Sequence, residues 1–128
     1  MDIDFGTFLP DDISHYSGLG FVRIVTGIVL VLIVTRSAIH LFASDGGARR
    51  IAGVDTSVEG GDNIVAMFHQ WGAVQLSLVV VLGVLFIRYP GLTPLVVASL
   101  ALDPLTRALA SKMKKLSSTR TPPGARLN

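Results

Sequence analysis

Six side chains in this sequence have the chemistry for a site in an otherwise apolar setting: Arg36, His40, His69, Gln70, Asp103 and Arg107. Each lies in or beside a long hydrophobic run, where an ionisable group is expensive and by default marks either an internal pair or a function. Two guanidiniums against one carboxylate leave a net positive cluster, suited to a carboxylate, a phosphate or the carbonyl oxygens of a quinone. His40 and His69 would relay protons, since imidazole as a group exchanges them readily near neutral pH. As a pair on two helices at similar depth, they also meet the minimum for axial haem ligation. A purely structural reading stands beside these: Asp103 neutralises Arg107 or Arg36, the histidines bond backbone carbonyls, and together they fix how helices pack.

The elements that must position these groups are membrane-length helices. The first apolar run extends from Leu19 to about Ala43 and the second from Ile64 to Ile87. At about 1.5 Å per residue, either is long enough to cross a hydrocarbon layer of roughly 30 Å. A third run, from Leu92 to about Ala110, is weaker because Asp103, Pro104 and Arg107 lie inside it. Ser44 to Asp62, with Gly46-Gly47, Gly53 and Gly60-Gly61, is a connecting loop, and Asp62 or Asn63 can cap the second helix. Arg88-Tyr89-Pro90-Gly91 makes a tight reversal. The expected fold is therefore all-α, an integral membrane bundle of three transmembrane helices. Residues 1–17 form an acidic N-terminal segment, 18–110 the three-span domain, and 111–128 a basic, disordered tail.

Composition agrees and excludes a good deal. Of 128 residues, 50% are hydrophobic and only 16% charged, and the mean hydropathy is +0.59. A water-soluble domain of this size needs more polar surface than that. The chain has no cysteine, which removes disulfides, zinc-thiolate and iron–sulfur sites and thiol nucleophiles. A formal charge of +2 gives no warrant for nucleic acid as a partner. The acidic head, with Asp2, Asp4, Asp11 and Asp12, lacks the basic start of a cleaved signal peptide. The tail, with Lys112, Lys114, Lys115, Arg120 and Arg126, is expected on the cytoplasmic side, which puts the N-terminus outside.

Depth and face bring the polar residues together. With span midpoints near Val31, Leu76 and Ala101, Arg36 lies roughly 7 Å inward of the centre, His69 roughly 10 Å, Gln70 and Arg107 roughly 9 Å and Asp103 roughly 3 Å. His40 lies deeper on the same side. Arg36 and His40 share a face as i, i+4 neighbours, and Asp103 precedes Arg107 by the spacing of an intrahelical ion pair. Gly72, Ala73 and Ser77 permit close approach by another helix. The polar stripes should face the bundle centre and form one pocket opening towards the cytoplasmic side. Arg23, near the outer end of its helix, can snorkel.

No Gly-Lys-Ser/Thr follows the loop glycines, and no HExxH is present, so nucleotide binding by a P-loop and hydrolytic metal chemistry have no warrant. Arg23 and Gly27 early in the first helix, Gly53-Val54-Asp55 in the loop, and Asn63, Gly72 and Gln75 in the second helix are the positions through which the chain resembles the DoxX-like small bacterial integral membrane proteins. That family usually has four spans, whereas three are legible here. The resemblance implies a bacterial inner-membrane protein, in some members linked to quinone-dependent redox complexes, and transfers no catalytic residues. Two functions are then expected. One is a multi-pass subunit of a membrane complex or homo-oligomer, in contact with membrane lipids. The other is a membrane-embedded enzyme or proton-relay protein acting on a quinone or lipid-like substrate, with quinone or haem as cofactor.

Overall fold

Runs of Val, Ile and Leu this long in so short a chain satisfy their backbone groups internally only as helices when the surrounding medium is apolar. The computed structural model describes residues 5–119, and all regular structure among them is helical. The long helices are α1 (Gly20–Phe42), α2 (Gly61–Arg88) and α3 (Thr93–Met113), with 3-10 turns at Phe5–Thr7 and Pro90–Leu92. Among the described residues, three helical segments are long and apolar enough to cross a membrane. The outward side chains are those of a lipid-facing surface: Phe21, Ile28, Val31, Leu78 and Val81 are all exposed.

α1 and α2 pack as a hairpin along their length, and Gly72 sets how close they come. A Cβ on Gly72 would stand 2.6 Å from the Leu41 amide nitrogen and 2.7 Å from the His40 Cβ, so only a hydrogen fits there. The core of the seam is Leu30, Val79 and Leu82, joined by Val96 of α3. A side-chain bond crosses its middle, from the Ser37 hydroxyl to Gln75 Oε1 at 3.2 Å. Five further hydroxyls turn back on their own helices. Thr26, Thr35, Ser77, Ser99 and Thr106 each donate to the carbonyl four residues earlier, which removes bare donors from the apolar medium.

At the end where α2 turns into α3, hereafter the turn end, Arg23 acts as a clamp. Its guanidinium donates to Thr93 Oγ1 at 2.7 Å, to the Phe86 carbonyl at 3.2 Å and to the Pro90 carbonyl at 3.4 Å. Its carbon also lies 4.3 Å from the Phe86 ring centroid. The carbonyls at a helix C-terminus have no partner within the helix, and Arg23 supplies one from α1. It thus points into the bundle; it does not snorkel outward. The N-terminal segment folds over this end, where the Gly91 amide donates to the Ile13 carbonyl at 2.9 Å.

At the opposite end, hereafter the loop end, the segment between α1 and α2 is a run of tight turns. Gly47 has φ +74°, and a Cβ there would meet His40 Nδ1 at 2.9 Å. Both the backbone conformation and the contact therefore call for glycine. The Asp45 carboxylate accepts from the amides of Gly47 and Arg50, both at 3.0 Å. Burial works against its charge, but these donors win and hold its pKa below the usual carboxylate value. Ala48 and Val54 are buried beneath.

Two boundaries differ from the sequence reading. α2 begins at Gly61, with Gly60 as its cap at φ +80°, so Asp62 lies in the first turn and serves the helix dipole instead of capping. α3 continues past residue 110 to Met113, and beyond it Thr119 donates both its amide and its hydroxyl to the Gly53 carbonyl, at 2.7 and 2.9 Å. The start of the tail is thereby tied to the loop. The expectation for residues 120–128, like that for Asp2 and Asp4, lies outside the described residues.

Candidate functional site

α3 is held tightly only near the turn end. Along the stripe that packs on α2, Thr93 and Val96 are fully buried at 0% exposure, but the side chains of Asp103 and Arg107 are 37% and 42% exposed. Between them Pro104 removes the amide that would bond the Leu100 carbonyl. The three helices therefore enclose a wedge that widens towards the loop end, and its walls carry charge.

The wedge is organised around Trp71 of α2, the only tryptophan in the chain. The guanidinium carbon of Arg36, from α1, lies 5.0 Å from an indole centroid, and that of Arg107, from α3, lies 5.7 Å from it. Both are cation–π distances. Asp103 meets Arg107 in an ion pair at 2.8 Å. Arg36 donates to no group among the described residues. The wedge thus holds two cations and one anion, with the unpaired cation half-buried.

Helix rise places these groups at one level. Counting about 1.5 Å per residue from the turn-end limits of the helices, Arg36 lies about 24 Å along α1, Trp71 about 26 Å along α2 and Arg107 about 21 Å along α3. In a hydrocarbon layer of roughly 30 Å that starts at the turn end, those levels fall in its loop-end third.

Not all six residues share the wedge. His40 sits behind its Trp71 wall, 1% exposed, with ring centroids 4.7 Å from Trp71 and 5.8 Å from Phe68. Its Nδ1–H donates to the Gly46 carbonyl at 2.7 Å, which leaves Nε2 as a buried acceptor without a partner among the described residues. His69 is half-buried and bonds the Leu41 carbonyl through Nδ1 at 2.8 Å. Gln70 is exposed on the far side of α2, so the expectation that every polar residue faces the bundle centre fails there. The helical angle decides this, because Gln70 is turned about 100° from its neighbour Trp71.

The histidine pair does not fit haem. Both Nδ1 atoms bond carbonyls of the α1 terminus and loop, which by itself leaves each Nε2 for a ligand, so space decides. His40 is buried with its Nε2 out of reach of solvent, packed against the rings of Trp71 and Phe68, with no space for a macrocycle on that atom. Nor do the described residues contain a group of three metal-ligating side chains. The histidines therefore lock the loop to the hairpin in the way the structural reading requires.

Trp71 was not singled out by sequence reasoning as part of the cluster. A tryptophan at that depth is equally expected in an interfacial aromatic belt, and its one distinguishing signal was an arginine at the same level on each of the other two spans.

The other concavities are simpler. A cleft of about 320 Å³ on the loop is lined by Asp45, Arg49, Arg50, Thr56 and Asp62, and Arg49 there donates to Thr56 at 3.1 Å. An apolar groove of about 370 Å³ runs between Gly27, Leu30, Val31, Val79, Gly83 and Phe86. At 100° per residue, Arg36 falls on the opposite side of the α1–α2 seam from this groove. Comparison of the chain with family models, with curated proteins and with solved structures finds no match.

Proposed function

We propose that this small three-span membrane protein is a non-catalytic subunit that works in an assembly, either with copies of itself or with other membrane subunits. The observation that carries this is the partial anchorage of α3. A span whose buried residues, Thr93 and Val96, both lie in its first turns, and whose later turns expose Leu102, Leu105, Leu109 and Met113, gains further contacts from a neighbour. Association of helices in lipid depends on close packing, and α3 offers these side chains for it on the face turned away from the wedge. A bacterial inner membrane, with the loop end and basic tail cytoplasmic, belongs to the same proposal and is supported by the tail's charge. A DoxX-like origin is a further part of it. Three residues of that resemblance are hairpin-packing residues here: Arg23 in the clamp, Gly72 at the close approach and Gln75 in the seam.

The absence of native cysteine makes a clean test available. Leu105→Cys or Leu109→Cys in native membranes, treated with a mild oxidant or a short bifunctional thiol reagent, should give cross-linked species. Ile28→Cys on the lipid-facing side of α1 should remain monomeric. Equal cross-linking at all three positions, or none at any, contradicts α3 as the assembly surface. The enzyme or proton-relay reading has less support, because the Nε2 of His40 is buried with no partner among the described residues to pass a proton to or from it.

A further inference from the structure

We propose that the wedge between Arg36, Trp71 and Arg107 binds the phosphate of an anionic glycerophospholipid from the leaflet at the loop end. Three observations converge on it. The first is Arg36, whose guanidinium lies on the indole face at 5.0 Å and donates to no group among the described residues. A guanidinium has five N–H donors, and withdrawn from water it requires an acceptor anion. The second is stoichiometry of charge. Asp103 is committed to Arg107 at 2.8 Å, which leaves one cation over, while the carboxylate beside it disfavours a ligand carrying several charges. A phosphodiester with one negative charge suits this balance, and the planar fork of arginine matches its oxygens. The third is position. By helix rise the residues lie in the loop-end third of the spans, the exposed Asp103 and Arg107 leave the wedge open between α3 and the hairpin, and the lining above Asp103 is apolar, with Leu100 and Val96 on α3. A ligand with a charged head at that level and acyl chains running towards the turn end fits that layout, whereas a free anion leaves the apolar part of the wedge unfilled.

The site does not depend on assembly. A monomer that holds the lipid keeps this inference and defeats the subunit reading, and an oligomer that ignores anionic lipid does the reverse.

Trp71, as the only tryptophan, reports from inside the wedge. The full chain purified in a maltoside detergent is titrated with phosphatidylglycerol, with phosphatidylcholine, and with inorganic phosphate, following indole emission. The expected result is a saturable change with phosphatidylglycerol that phosphatidylcholine and inorganic phosphate do not produce. Arg36→Gln should weaken it about tenfold, as loss of one charge-assisted contact implies, and Arg88→Gln at the turn end should leave it unchanged. Native mass spectrometry of the same samples gives a second readout, a phosphatidylglycerol adduct present on the wild type and depleted on Arg36→Gln. If Arg36→Gln does not insert, Arg107→Gln carries the test, with the same loss expected. A response equal for phosphatidylcholine, a response to inorganic phosphate alone, or wild-type binding by the arginine variants overturns the proposal.

Discussion

Arg23 and Arg36 stand on the same helix, and the contrast between them separates the two ends of the molecule. At the turn end Arg23 has three oxygen acceptors from α2, the turn and α3, together with an aromatic ring at 4.3 Å. At the loop end Arg36 has an aromatic ring at 5.0 Å and no acceptor among the described residues. Both are cations withdrawn from water, and the same physics applies to each. Where the chain supplies the acceptors, the charge is a structural clamp. Where it supplies only a ring face, the charge is left for something outside the chain. The packing follows this division, since α3 is buried beside Arg23 and opens beside Arg36.

The contrast is broken most severely at the seam that both ends share. Gly72→Leu places a side chain against the backbone of α1, and should cost about 3 kcal/mol or more in an unfolding titration from mixed micelles. It should also separate Trp71 from Arg36, seen as a shift in indole emission. Arg23→Gln comes next, with a loss of about 2 kcal/mol, because it leaves the Phe86 and Pro90 carbonyls short of a charged donor. That loss should appear as loosening of α3 relative to the hairpin in hydrogen exchange. By contrast, Arg36→Gln should cost no more than about 1 kcal/mol, because it gives up the ring contact with Trp71 but breaks no hydrogen bond among the described residues. Equal destabilisation by the two arginine variants would abolish the distinction drawn between them.

The smallest effect is a pH dependence confined to the loop end. The Asp45 pKa is lowered in the folded chain, against burial, by the amides of Arg50 and Gly47. A carboxylate with a depressed folded pKa stabilises the fold above its unfolded pKa, and that contribution is lost as pH falls through the folded value. Exchange protection of the Gly47 and Arg50 amides should therefore fall on acidification below the ordinary carboxylate range. Asp45→Asn should remove that dependence without affecting the turn end.

Much of the architecture was legible because apolar length is a strong signal. Leu19–Ala43 and Ile64–Ile87 differ from α1 and α2 by only a few residues, and the Asp103–Arg107 spacing foretold its ion pair. What was hidden depends on distances between helices, which periodicity does not report. An arginine a turn inside a span looks the same in sequence whether it snorkels or, like Arg23, caps a neighbouring helix. Arg36 and His40 share a helical face to within about 40°, yet that offset sends one ring behind Trp71 and leaves the other guanidinium in the wedge. The opening of α3 was foreshadowed only by Pro104, whose missing amide weakens the helix without saying which way it departs. Nor did the run of polar residues after Ala110 reveal that Thr119 returns to Gly53, since that contact joins two segments without hydrophobic pattern.

The central claim is that the half-anchored α3 is completed by another chain. The most direct measurement is the protein mass of the assembly extracted in a mild detergent, by light scattering or native mass spectrometry, for the wild type and for Leu105→Arg. The account predicts a wild-type mass that is a multiple of the 13.6 kDa chain, or that includes a second membrane subunit, and a single chain for the variant. A wild-type particle of 13.6 kDa protein at every detergent and protein concentration would contradict it.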